Sequence, residues 1–210
     1  MPDAPFESPD SPASPDAAPA RKRPKPGERR VQILEALATM LEQPGADRIT
    51  TAALAARLEV SEAARYRHFA SKAQMFEGLI EFIEQSVFSL INQITEREPA
   101  GTSQAAKTVG MLLQFAEKNP GMTRVMVGDA LVFENERLQQ RMNLFFDKVE
   151  SSLKQSLRDG GESSATPSAD AQVRASLLTA FVVGRLQRFA RSGFKRPPSE
   201  HLEACLSRML

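Results

Sequence analysis

Apolar residues recur three and four apart along almost the whole chain after residue 27, and no stretch shows the sustained alternation of a strand. Ile33, Leu34, Leu37 and Leu41 form one stripe and predict a helix over about Glu28–Glu42, ended by Pro44-Gly45. Thr50 is a good N-cap for a second helix that continues through Leu58, with Ile49 and Leu54 placed as a hydrophobic staple. Glu59-Val60 reads as a tight turn, and Ser61 caps a third helix over roughly Glu62–Phe69. Ser71-Lys72-Ala73-Gln74 reads as a capping box that opens a long helix, about Lys72–Glu96. Phe76, Leu79, Ile80, Ile83, Val87, Leu90, Ile91 and Ile94 form its expected buried stripe.

Pro99-Ala100-Gly101 breaks the chain before a helix over about Ser103–Lys118, which stops at Asn119-Pro120-Gly121. A short helix is expected around Met122–Val127. Another runs from about Asn135 to Leu157, with Leu138, Met142, Phe145, Val149 and Leu153 inward. Residues 158–169 are rich in Gly, Ser and Pro and read as a flexible loop, before a helix over about Asp170–Arg191. A last short helix follows Pro197-Pro198. The expected fold class is all-α.

Composition adds a tail to this picture. Residues 1–27 hold eight of the fourteen prolines, mixed with Ser, Ala and Asp, and cannot bury a core, so they are expected to be disordered. Arg21, Lys22, Arg23, Lys25, Arg29 and Arg30 then place six cations in ten residues against one acid, Glu28. Such a run either lies along phosphates or is a solvated basic tail. The net charge of the chain is only +1, so charge distribution matters more than the total. The single cysteine, Cys205, allows no disulfide within the chain and fits a reducing compartment. No apolar run approaches the ~18 residues a membrane span needs, and no secretory signal is visible, so a cytoplasmic protein is expected.

The two short helices around Glu59-Val60, behind the first helix, form a helix-turn-helix arrangement. Ala53, Leu54, Ala56, Leu58 and Val60 are small or aliphatic, as a compact two-helix contact requires. The segment ITTAALAARLEVSEAARYRHFASKAQMF, residues 49–76, resembles the DNA-binding signature of the TetR family. The likeness spans three helices and over a dozen positions. It implies a helix-turn-helix module over 28–74 and a helical dimerisation and partner-binding bundle over 75–210, after the tail 1–27. It also implies contacts with double-stranded DNA. Thr50 and Thr51 sit at a helix N-terminus, where hydroxyl and N–H groups favour phosphate. Tyr66 can hydrogen-bond a phosphate, and Lys72 can neutralise another. Ser61, Glu62, Ala63 and Arg67 are placed to face base edges, where an Arg can bind guanine bidentately. His68 is either a phosphate contact or a capping histidine, and Phe69 is core. Arg65 stands where the family usually carries a bulky aliphatic residue. It either adds a phosphate contact or costs local stability, its stem lying over Val60.

A narrower resemblance lies partly outside the reader. SEAARYRHFASKAQMFEGLIEFIEQS, EKNPGMTRVMVGDALVFENERLQQRMNLFF and RLQRFARSGFKRPP are similar to the nucleoid occlusion factors of this family. That likeness implies a nucleoid-associated homodimer that binds palindromic chromosomal sites and, on DNA, antagonises FtsZ polymers. It implies further that the FtsZ C-terminal tail docks near the two helices 72–96 and 103–118, at Phe82, Lys118 and Asn119, with Pro120 shaping the same turn. Leu90 and Gln114 depart from these relatives, standing in place of a cation and a glycine. Phe82 lies about 120° from the centre of its helix's apolar stripe, and is either exposed for a partner or packed on the first module.

Val173, Leu177, Leu178, Phe181, Val182, Leu186 and Phe189 give the helix 170–191 more apolar area than one neighbour needs. Ala180 and Gly184 permit close approach, so a two-fold four-helix interface is expected. Half-sites about one helical turn apart, ~34–36 Å or more, would follow. With two histidines, no metal-ligand spacing, no nucleophile elbow and no glycine-rich phosphate loop, neither an enzyme nor a cofactor is expected. The rival reading is a ligand-responsive repressor with a pocket lined by Met111, Phe115, Met126, Phe133 and Phe145.

Overall fold

The computed structural model describes residues 27–43, 49–57, 69–160 and 167–210. Among the described residues every regular element is helical. They are α1 (Glu28–Leu41), α2 (Thr51–Arg57), α3 (Lys72–Arg97), α4 (Thr102–Lys118), α5 (Pro120–Met126), α6 (Glu136–Asp159), α7 (Pro167–Arg191) and α8 (Leu202–Met209). A 3₁₀ turn at Asp129–Leu131 joins α5 to α6.

The helix ends follow local chemistry. Ser71 Oγ accepts from the Gln74 backbone N–H at 3.2 Å, and Gln74 Oε1 accepts from the Ala70 N–H at 2.8 Å. The expected box thus closes one residue further out, on Ala70 rather than Ser71. Asn135 caps α6 by accepting from the Arg137 N–H at 3.0 Å. Three boundaries differ from expectation. α5 starts at Pro120, not Met122, because the first helical position needs no N–H and suits proline. α6 runs on to Asp159, where Gln155 donates to Asp159 at 2.5 Å and Arg158 to Gln155 at 2.6 Å across the last turn. α7 begins at Pro167, not Asp170, again with proline leading. Of the expected flexible loop, residues 161–166 lie outside the described residues, as does the tail 1–26.

The buried apolar side chains form one continuous cluster from Ile33 in α1 to Leu186 in α7. Each fully buried Leu, Ile or Phe contributes roughly 1.5–3 kcal/mol by leaving water. The inward residues of α6, Leu138, Met142, Phe145, Val149 and Leu153, are all buried as expected. The stripe of α3 needs two corrections. Burial continues through Val87 to Ile91, but Leu90 is 36% exposed and Ile94 is only half-buried, because past Val87 the neighbouring helices cover little beyond the Ile91 side.

Two glycines mark where backbones touch. A Cβ on Gly121 would stand 1.9 Å from the Ala38 carbonyl oxygen, so α5 lies directly on α1. A Cβ on Gly160 would stand 2.3 Å from Gly101 Cα, and the Gly101 N–H donates to the Ser156 carbonyl at 2.8 Å. That contact seats the α3–α4 turn on the end of α6.

α7 splits its apolar residues between two faces. Leu178, Val182, Leu186 and Phe189 are buried within the chain. Val173 and Leu177 are exposed, and Ala180 and Gly184 continue the same open face at helical spacing. A Cβ on Gly184 would meet nothing within 4 Å.

Candidate functional site

The candidate DNA-facing end is built around the start of α2. Thr50 Oγ1 accepts from the Ala53 N–H at 3.1 Å, and the Thr50 carbonyl accepts from the Leu54 N–H at 3.1 Å. Ile49 and Leu54, on either side, are buried. The exposed Thr50 hydroxyl is thereby held at a fixed place, with its proton left to donate outward. Thr51 is the first residue of α2. Ser61, Glu62, Ala63, Arg65, Tyr66, Arg67 and His68 lie outside the described residues, as do the turn at Glu59-Val60 and the expected third helix. The chain resumes at Phe69, which is buried as expected.

Lys72 opens α3, and its ammonium is already engaged. It lies 2.5 Å from Glu134 Oε1 and 5.7 Å from the centroid of the Phe76 ring. An ammonium carries three donors, so one held by Glu134 leaves two for an oxyanion. Of the basic run, Arg29 donates to Gln32 at 2.9 Å, while Arg30 turns inward. The Arg30 guanidinium sits 4.5 Å over the Phe69 ring and 3.7 Å from Glu81. Arg21, Lys22, Arg23 and Lys25 lie outside the described residues.

Below this end, α3 is tied to the start of α6 by charge. Arg141 grips Glu84 with two donors, at 2.6 and 3.3 Å, and reaches the Glu77 carbonyl at 3.5 Å. The hydrogen bond to Glu84 raises the Arg141 pKa above its ordinary value, against the lowering effect of burial, so the group is cationic at all relevant pH. Arg137 pairs with Glu77. Neither Glu134 nor Arg141 was singled out from the sequence. Partners such as Arg141 and Glu84 are 57 residues apart and leave no local pattern.

The second candidate surface lies on α3 and α4. Phe82 is 40% exposed, so it does not pack away against the first module. Lys118, the last residue of α4, is exposed, as is Gln114 one turn earlier. Asn119 is half-buried and works in the turn: its Nδ2 donates to the Phe115 carbonyl at 2.8 Å, and its own carbonyl accepts from the Thr123 N–H at 2.9 Å. Pro120 then opens α5.

The five residues expected to line a ligand pocket do not share one. Phe145 is sealed in the core, Met126 is buried at its edge, Met111 and Phe115 pack against it, and Phe133 is 74% exposed. An open cleft of about 540 Å³ lies between the turn after α5, α6 and α7, and of the five only Met126 reaches it. Around Phe145 the core is filled by edge-to-face contacts with Phe88 and Phe146, at ring-centroid distances of 5.6 and 5.1 Å. Among the described residues no group of three or more His, Cys, Asp or Glu could hold a metal ion, and no helix is long and apolar enough to cross a membrane.

Residues 33–79 match the family described as bacterial regulatory proteins, tetR family. Residues 103–209 match the SlmA-like tetracyclin repressor-like C-terminal domain. The nucleoid occlusion factor SlmA of Idiomarina loihiensis is 51% identical over 177 residues, covering 84% of this chain and 90% of the relative. That of Vibrio cholerae is 51% identical over 178 residues, covering 83% and 90%. Among solved structures, the fatty acid degradation regulator FadR from Bacillus halodurans superposes with a TM-score of 0.73 at 13% identity, covering 90% of this chain and 97% of that one. FadR from Bacillus subtilis, in complex with stearoyl-CoA, gives 0.66 at 13% identity, covering 85% and 96%. At such identities the likeness to the two regulators concerns the fold alone.

Proposed function

The chain belongs to the family of the nucleoid occlusion factors SlmA, and from that premise we propose that it is a DNA-binding division regulator. As a homodimer it binds palindromic chromosomal sites, and while on DNA it antagonises FtsZ polymerisation, so that no septum assembles over the nucleoid. The reading places it in the cytoplasm, on the nucleoid. The observation that carries it is identity of about half to the nucleoid occlusion factors over 84% of the chain, bundle as well as reader. Shared helix-turn-helix ancestry would account for the reader only.

Several observations support parts of the reading. The exposed, rigidly capped Thr50 suits a phosphate contact, as do Thr51, next to it at the start of α2, and Lys72, at the start of α3. Ser61, Glu62, Ala63, Arg65, Tyr66, Arg67 and His68 are the proposed remaining contacts. The open face Val173, Leu177, Ala180 and Gly184 of α7 suits a two-fold helix pair. Exposed Phe82 and Lys118, with Asn119, offer an apolar and a cationic contact for the proposed docking of the FtsZ C-terminal tail. The proposed division is a tail over 1–27, a reader over 28–74 and a dimerisation and partner-binding bundle over 75–210. The ligand-responsive repressor is not favoured.

The test is FtsZ sedimentation with GTP, with and without the purified protein and a duplex it has selected from a randomised library. Polymer in the pellet is expected to fall only when protein and duplex are both present. An undiminished pellet under that condition overturns the division role.

A further inference from the structure

Three ion pairs join α3 to residues 134–141: Lys72–Glu134 at 2.5 Å, Glu77–Arg137, and Glu84–Arg141 at 2.6 Å. The order of the partners is the same on both sides of the ladder, and the signs are complementary: plus, minus, minus on α3 against minus, plus, plus opposite. This pattern favours the one register in which all three pairs attract. Sliding α6 by one turn in one direction sets Arg137 against Lys72; sliding it the other way sets Glu134 against Glu77. Either slip replaces an attraction with a repulsion between like charges. Two of the pairs are largely shielded, with side-chain exposures of 27% and 11% for Lys72 and Glu134, and 35% and 17% for Arg141 and Glu84, so solvent screens them less than ordinary surface pairs.

The two helices so joined have different roles. α3 begins where the reader ends, and α6 packs along α7, whose open apolar face is the proposed two-fold contact. The position of α3 on α6 therefore determines how far each reader stands from the dimer axis. We propose that this ladder is a register lock that sets the separation of the two readers, and so selects the half-site spacing the dimer accepts. Arg141 is its main positioning residue, being the one that engages α3 through three donors. The inference rests on the DNA-binding homodimer proposed above.

The experiment is selection of bound duplexes from a randomised library by the full-length protein, reading the spacer between paired half-sites. Wild type is expected to enrich one spacer. Arg141→Glu, and the milder Arg141→Gln, are expected to spread enrichment over neighbouring spacers, lowering the preference for the best one by about tenfold, the order lost with one half-buried charge pair. The swapped pair Glu84→Arg with Arg141→Glu is expected to restore a single spacer. Melting temperatures are measured alongside. A lowered melting temperature with the wild-type spacer distribution in Arg141→Gln would make Arg141 merely structural and overturn the lock. Absence of any paired half-sites in the wild-type selection would instead overturn the DNA-binding reading, and the lock with it.

Discussion

Gly121 of α5 packs directly on the backbone of Ala38 in α1: a Cβ at position 121 would stand 1.9 Å from the Ala38 carbonyl oxygen and 2.8 Å from its carbonyl carbon. Arg124, one turn further along α5, donates to the Leu41 carbonyl at 3.4 Å. α5 is thus the bracket that holds α1, and through it the reader, on the bundle. The neighbouring atoms are backbone and cannot rotate away. Gly121→Ala is therefore expected to destabilise the chain by about 1–3 kcal/mol, as over-packing does. Thermal unfolding followed by circular dichroism checks it, and a midpoint equal to wild type would show that α1 and α5 part without cost.

Thr50 serves both the fold and the proposed DNA contact, so its replacement should register in two assays. Thr50→Ala removes the acceptor for the Ala53 N–H and should cost about 1 kcal/mol of stability. Thr50→Ser keeps the cap. If the hydroxyl also meets a phosphate, Ala weakens duplex binding while Ser holds it, in titrations at one fixed salt concentration. Equal affinity for all three proteins would remove Thr50 from the interface.

Lys72 is expected to contribute one phosphate contact per protomer. Lys72→Ala should then flatten the dependence of log affinity on log salt by about 0.9 for each contact, close to 2 for a dimer. An unchanged slope would mean that Glu134 retains the whole charge.

Phe82 is 40% exposed and lies outside the buried core, so Phe82→Ala should destabilise the chain by no more than about 1 kcal/mol. Duplex affinity should be unaffected, while the DNA-dependent loss of FtsZ polymer disappears. If sedimentation with Phe82→Ala matches wild type, the partner surface lies elsewhere.

Leu177 lies in the middle of the open face of α7. Leu177→Asp would bury two like charges at a two-fold contact and should weaken dimerisation by roughly a hundredfold. Analytical ultracentrifugation should find a folded monomer that has lost most of its duplex affinity. A dimer of wild-type strength would place the interface on another face.

Local chemistry accounts for the helices and most of their ends. The stripes of α1 and α6, the caps at Thr50, Ser71 and Asn135, and the stops at Pro44 and Pro99 depend on residues within one or two turns of each other, and such signals are present in the linear order. The boundary errors at Pro120 and Pro167 came from reading proline as a terminator where it serves as a first residue. The candidate DNA contacts around Thr50 were legible for the same reason, since a cap and its staple are local.

Facts that depend on remote neighbours were not legible. Leu90 and Ile91 look alike in a hydrophobic pattern, and only the reach of the surrounding helices leaves one exposed and buries the other. Whether Phe82 was covered could not be read from its angle on a helix. Phe133 and Phe145 looked equally fit for a pocket, yet one stands in solvent and the other closes the core. The α3–α6 ladder joins charges 57 and more residues apart, and each taken alone is an ordinary surface residue. Helix formation is decided by short-range geometry, so the order of residues suffices for it. Burial and charge pairing depend on which helix comes to lie beside which, and that is settled only when the chain packs.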